Sequence, residues 1–422
     1  MRQAAVAYLQ SLFEEKMIVD DRTPVWRGQL PLLTGEFELY VPNAEGWKQL
    51  AIFVVLQSII QVTFAAIIYI GIVQKRGTTS SYLIGWGLIM PISLYVPFYL
   101  LDLLDIRNKV MTLSATTVMT VVFFRCVEAM YGTSPYNAVM ESSLWNYCGY
   151  YSSVAPFLWD TKTKRRKQIT MRNFVTSLVD ILLHFLAVSV VVSLLQPYRF
   201  KPFDDPMHLT EFRISWDLLS KEHLLNSYCH AVLTYLTLKA GFEATGFAEN
   251  IKGFATDTIF DHPFFKSRSP TEFWTQRWNL MIQPFLKGGV FLPVKKYSNG
   301  KIAMFITFVV SGLYHEYVWL AIFYNQKYLY DENGGCTNRE CYLNEFGRVT
   351  AFFIYVGIIM LLERPFGSLA PVQWLSKRLP TPIVSQFLIL LHLPVAQWYI
   401  GDWVEGGYFD DFSIMTFLVR KV

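Results

Sequence analysis

Residues 308 to 323, FVVSGLYHEYVWLAIF, set His315 and Glu316 side by side within an apolar run. Burying an imidazole or a carboxylate without a partner costs several kcal/mol or neutralises the group. Both therefore need a reason to be there. Imidazole is the side chain best suited to take a proton from a hydroxyl near neutral pH, its ordinary pKa being about 6.5. On a helix, Thr307, Ser311, Gly312 and His315 fall on one stripe of small and polar groups, which predicts the wall of a cavity. Glu316 is turned about 100° away and reads first as a buried carboxylate, bonded to a neighbouring helix or protonated, with a catalytic role as the alternative. From the residues alone His315 has two readings, a general base or a satisfied buried polar group.

A second segment stands upstream, SPTEFWTQRWNLMIQPFLKGGVFLP, residues 269 to 293. Ser269, Pro270 and Glu272 predict a helix start. Phe273, Trp274 and Trp278 then recur at one-turn spacing with Arg277 among them, the pattern of an aromatic and basic helix at a membrane interface.

The elements that must carry these residues are apolar. Of the 422 residues 53% are hydrophobic and only 17% charged, where a soluble domain carries about 25% charge. Runs long enough to span a bilayer lie near 50–73, 81–103, 109–130, 173–196, 224–246, 302–323, 346–362 and 383–401. Two weaker stretches, 135–158 and 280–293, read as re-entrant or interfacial. The expectation is an all-α polytopic membrane protein with eight to ten membrane segments. A polar arm at 1–49 lacks the build of a cleavable signal, so the first span is expected to act as its own insertion signal. A multispan domain at 50–404 and a short tail at 405–422 follow.

The densest basic cluster, Lys162 to Arg172, precedes the fourth span and predicts a cytosolic loop. Counting spans from there places Lys75 and Arg76, and the 248–300 segment, on the cytosolic side, and 198–222 in a lumen. Asp180 with His184 and Lys239 with Glu243 are spaced to pair within their helices. Gln57, Gln61, Gln386, Gln397 and His392 read as interhelical hydrogen bonders.

Several function classes are disfavoured. No basic stripe interleaved with aromatics suits nucleic acid. No CxxC or Cys/His spacing suits a metal; no GxSxG elbow or P-loop occurs. Cys336 and Cys341 are either free thiols or, facing an oxidising lumen, a disulfide. No internal repeat supports a transporter, although a proton relay through His315, Asp180 and His184 is the alternative from another class.

Taken together, FWTQRWN and, 36 residues after Asn279, His315 within SGLYHEYVW resemble the paired signatures of the membrane-bound O-acyltransferase family. The FW opening and the basic residue before Trp278 look closest to its plant-type wax synthases. Gln276 stands where the sterol and diacylglycerol branch has an acidic residue, and Asn279 where typical wax synthases have histidine. The resemblance implies a helical bundle around an intramembrane reaction chamber in the endoplasmic reticulum membrane. It implies acyl-CoA as co-substrate, no bound cofactor or metal, and transfer to a long-chain alcohol, with diacylglycerol or a sterol as the alternative acceptor. His315 and Asn279 would be catalytic, as base and as oxyanion or acyl-positioning group. Phe273, Trp274, Arg277, Trp278 and Ser311 would bind substrate, Arg277 and Trp278 at the CoA entrance. Monomer and homo-oligomer both stay open.

Overall fold

The computed structural model describes residues 23–29, 35–134, 137–151, 153–160, 163, 165–324 and 344–422. Cys336 and Cys341 lie outside them. Seven long helices follow in order: α1 (Ala44–Gly71), α2 (Thr79–Leu104), α3 (Lys109–Tyr131), α4 (Met171–Leu195), α5 (Lys221–Ile251), α6 (Gly300–Ile322) and α7 (Arg348–Gly367). All but α5 are apolar enough to cross a membrane. Near the C-terminus α8 (Thr381–His392) and α9 (Gln397–Glu405) together qualify as a seventh crossing, bent by 65°. The bend falls at Leu393–Val395, where Pro394 has no N–H to continue the helical ladder.

Among the described residues the count of apolar helices, six or seven, is thus lower than the eight to ten membrane segments expected. The 135–158 stretch forms only the short helices Asn137–Met140 and Leu144–Tyr151. The 280–293 stretch forms short turns packed against α3. The predicted span at 224–246 does lie inside a 31-residue helix, about 46 Å long, but α5 is too polar to pass on composition.

Its ends nevertheless lie at opposite ends of the bundle. After α5, Phe254 and Thr256 bridge to Gln168 and Phe157, just before α4. Before α5, the loop that leaves α4 is bound to the helix's polar side chains. His230 donates to the Phe200 carbonyl at 2.6 Å, Asn226 exchanges two hydrogen bonds with the Phe203 backbone, and His223 meets Asp205 at 3.0 Å. All of these groups but His230 Nδ1, which is buried without a partner among the described residues, are satisfied by these internal bonds.

The termini meet in a small antiparallel sheet of β1 (Trp26–Gln29), β2 (Glu36–Tyr40) and β3 (Leu418–Lys421), ordered β1-β2-β3. It joins the expected arm to the expected tail and rests on the end of α4, where Ser193 Oγ accepts from the Val419 amide at 2.9 Å. Of the two expected intrahelical pairs, Lys239 with Glu243 forms at 3.7 Å and the other does not. His184 reaches across to Glu243 of α5 at 2.7 Å instead of pairing with Asp180, which is exposed. Gln57, Gln386 and Gln397 do bond between elements, to Ser114, to Tyr228 and Phe264, and to Glu211.

Candidate active site

The site is built where α6, α7, the α8–α9 bend and the 269–293 segment converge on one largely apolar cavity of about 360 Å³. Asn299 caps α6, accepting from the Lys301 and Ile302 amides at 3.0 Å. From that helix Thr307, Ser311 and His315 face the cavity. Gly312, expected on the same wall, faces α7 instead. A Cβ there would meet the Thr350 Cα at 2.8 Å, so glycine is what lets the two backbones approach. The approach brings Phe353 flat against the His315 ring, with centroids 4.5 Å apart.

His315 Nδ1 lies 2.6 Å from the Ser311 carbonyl oxygen. A carbonyl only accepts, so Nδ1 carries the proton and Nε2 keeps its lone pair. The imidazole is thereby held in the tautomer a base requires, on the cavity wall. Glu316 points the other way. Its Oε1 accepts from the Gly347 and Thr350 amides at 2.9 and 2.8 Å, satisfying the exposed N–H groups at the start of α7.

The 269–293 segment begins as expected, with Ser269 Oγ accepting from the Glu272 amide at 3.2 Å. It does not continue as an interfacial helix. A single wide turn, Phe273–Arg277, gives way to extended Trp278 and then to Asn279 with φ +47°. Asparagine is among the few residues that tolerate this left-handed conformation. Its side-chain amide lines the cavity and makes no hydrogen bond among the described residues; Oδ1 is buried and unpartnered. An orphan amide on a cavity wall is a group waiting for a ligand.

The aromatic residues also turn inward. Trp278 stacks on Phe273 and Phe264 at 5.5 and 6.2 Å, because flat rings bury more area against one another than at a headgroup layer. Phe273, Trp274 and Trp278 all border the cavity. Arg277 does not. Its guanidinium is committed to Glu272 and to Asp261, the latter at 2.5 Å. The Lys266 ammonium, 2.9 Å from Asp261, holds that carboxyl below the usual range even against partial burial, so the pairing stays charged at neutral pH. Arg277 thus ties down the turn before Asn279 and is not on the wall where a phosphate partner was expected.

Sequence reasoning missed two wall residues, Lys287 and Tyr399; a third, His392, it read as an interhelical hydrogen bonder with its reach to the site left open. Lys287 borders the cavity and forms no ion pair among the described residues. Tyr399 sits across from His315, ring centroids 5.6 Å apart. His392 reaches the same cavity. The last two flank Pro394, inside the 383–401 run that was read as one continuous span. Among the described residues no cluster of three or more His, Cys, Asp or Glu side chains offers a metal site.

Known proteins can now be set beside this geometry. Residues 257–330 match the model of the Membrane bound O-acyl transferase family. The chain is 28% identical over 157 residues to "Probable long-chain-alcohol O-fatty-acyltransferase 2" of Arabidopsis thaliana, covering 35% of this chain and 38% of that protein. Against "Probable long-chain-alcohol O-fatty-acyltransferase 9" of the same plant it is 34% identical over 94 residues, 19% of this chain and 27% of that one. Against "Probable long-chain-alcohol O-fatty-acyltransferase 3" it is 27% identical over 238 residues, 54% and 59% of the two chains. The chain thus spans between about a quarter and three fifths of the length of these relatives. Over the matched segment, which holds both Asn279 and His315, this multispan chain is similar to the membrane bound O-acyl transferase family.

Proposed function

We propose that the protein is an acyl-CoA-dependent O-acyltransferase that esterifies a long-chain alcohol to a wax ester, working in the endoplasmic reticulum membrane. One observation carries the reading: His315 presents an unprotonated Nε2 to an apolar cavity that also holds the uncommitted amide of Asn279. The curated relatives named as long-chain-alcohol O-fatty-acyltransferases support the choice of acceptor.

His315 Nε2 takes the alcohol proton as the hydroxyl oxygen attacks the thioester carbonyl, and returns it to the departing CoA thiolate. General-base assistance of this kind is worth about 10²–10⁴ in rate. Asn279 Nδ2 donates to the oxyanion that develops on the acyl carbonyl. Acyl-CoA is a co-substrate and leaves as CoA; the chemistry calls for no resident cofactor. The apolar walls keep water from competing with the alcohol.

The test is ester formation by membranes from a host without neutral-lipid synthesis, given labelled acyl-CoA with a fatty alcohol, diacylglycerol or a sterol. Wax ester as the main product is the expected result. Triacylglycerol or steryl ester would move the acceptor to the alternative branch. No ester from any acceptor, or full activity in His315→Ala at equal abundance, would overturn the acyltransferase reading.

A further inference from the structure

We infer that His392 is a positioning residue which holds the Trp274 indole as a fixed wall of the chamber and so sets the chain-length profile of the product. The inference rests on the acyltransferase reading above. His392 is the last residue of α8, buried at the bend. Its Nδ1 lies 2.7 Å from the Leu388 carbonyl and its Nε2 lies 3.2 Å from Trp274 Nε1. The carbonyl only accepts and the indole N–H only donates, so both nitrogens are assigned: Nδ1–H donates and Nε2 accepts. Unlike His315, this second imidazole of the cavity has no lone pair left for a substrate.

The hydrogen bond acts on the chamber's shape. Trp274 is a large, flat side chain with its polar edge in an apolar wall, where an unpaired N–H is unfavourable. Tied to His392, its ring packs edge-on to Phe308 of α6 at 6.5 Å and near Phe352 and Phe353 of α7 at 6.2 and 6.4 Å. Phe353 in turn backs the His315 ring. The indole therefore borders the space next to the reacting groups, and its angle decides how much chain fits there. Without the His392 acceptor the indole N–H must find another partner, and only by turning its ring.

The experiment compares wild type, His392→Gln, His392→Phe, Trp274→Phe and the double variant His392→Phe/Trp274→Phe in the membrane assay. Each is given mixtures of saturated alcohols and acyl-CoAs of graded length, with product ratios measured at equal folded protein. His392→Phe and Trp274→Phe each shift the ratio of long to short esters by roughly tenfold, the scale of a small change in an apolar pocket. The double variant matches the singles, because both remove one bond. His392→Gln, whose amide oxygen can accept the indole proton, keeps the wild-type ratio. Should His392→Phe fail to accumulate, Trp274→Phe decides alone, since it deletes the donor and keeps an aromatic ring. A wild-type profile in the phenylalanine variants, or additive shifts in the double variant, overturns the inference while leaving the acyltransferase reading intact. A wild type that makes no ester overturns both.

Discussion

Asn279 can be tested in a way that separates backbone from chemistry. Its φ of +47° is a conformation that costs an ordinary side chain about 1–2 kcal/mol and that glycine adopts freely. If asparagine is present only to make the turn between Trp278 and the next helix, Asn279→Gly should fold as well as wild type and work as well. Removing the buried, unpartnered Oδ1 should even relieve a small penalty. If instead the amide donates to the developing oxyanion, the same variant loses one such donor, worth about 2.7–4 kcal/mol or 10²–10³ in kcat. The expected result is normal yield and thermal stability with kcat lowered by about that factor and the KM for acyl-CoA little changed. Asn279→Ala should add instability of about 1 kcal/mol to the same loss. The assay is ester synthesis in detergent or membranes, normalised to monodisperse protein. An Asn279→Gly variant retaining a kcat within roughly threefold of wild type would refute the donor role, against the 10²–10³ expected.

Three further predictions follow from contacts around the chamber. Glu316→Ala leaves the Gly347 and Thr350 amides without their acceptor and should cost about 1–3 kcal/mol of stability, while Glu316→Gln keeps an oxygen there and retains activity; melting of the purified protein distinguishes them. Gly312→Val forces α6 from α7 at the 2.8 Å approach to Thr350; about 1–3 kcal/mol of strain should appear together with a loss of activity, because Phe353 no longer backs His315, and preserved activity would deny that coupling. Lys287→Ala should raise the KM for acyl-CoA about fivefold, or about 1 kcal/mol for a partly exposed cation, with kcat unchanged, whereas Arg277→Gln should act through yield by freeing Asp261 and Glu272.

The helices were legible because hydropathy is local: the six apolar spans and the bent seventh all fall on runs visible in the sequence. So was Glu316's service to a neighbouring helix, since a carboxylate rotated off the cavity stripe has few other uses. What failed was anything that depends on a distant partner. Arg277 looked free for a phosphate because nothing in FWTQRWN announces Asp261, sixteen residues earlier and folded back onto it. Gly312 looked like part of the cavity stripe because a helical wheel cannot tell a void from a closely packed neighbour. The tryptophans suggested an interface because the rings that cover them lie far off in sequence, Phe264 against Trp278 and His392 against Trp274, where periodicity does not register them.

An aromatic cluster lies past the cavity along α6. Beyond His315 along α6, Trp319 is fully buried against Tyr399 and Trp403, each at 5.1 Å, and Trp403 packs on Tyr408 at 4.2 Å. Of this aromatic mass, Tyr399 borders the cavity while Trp319, Trp403 and Tyr408 do not. The cavity's other wall residues, from Thr307 down to Gln283 and Lys287, lead toward the opposite end, the side assigned to the cytosol by the basic loops at Lys75 and at Lys162 to Arg172. A thioester threaded from that side would halt with its carbonyl at His315, its soluble carrier left near Lys287. On the proposed function, a base backed by that aromatic mass would position the acyl group by obstruction, with no additional polar contacts in an apolar wall. Water would then follow the same route as the substrate, and a bound acyl chain would fill it.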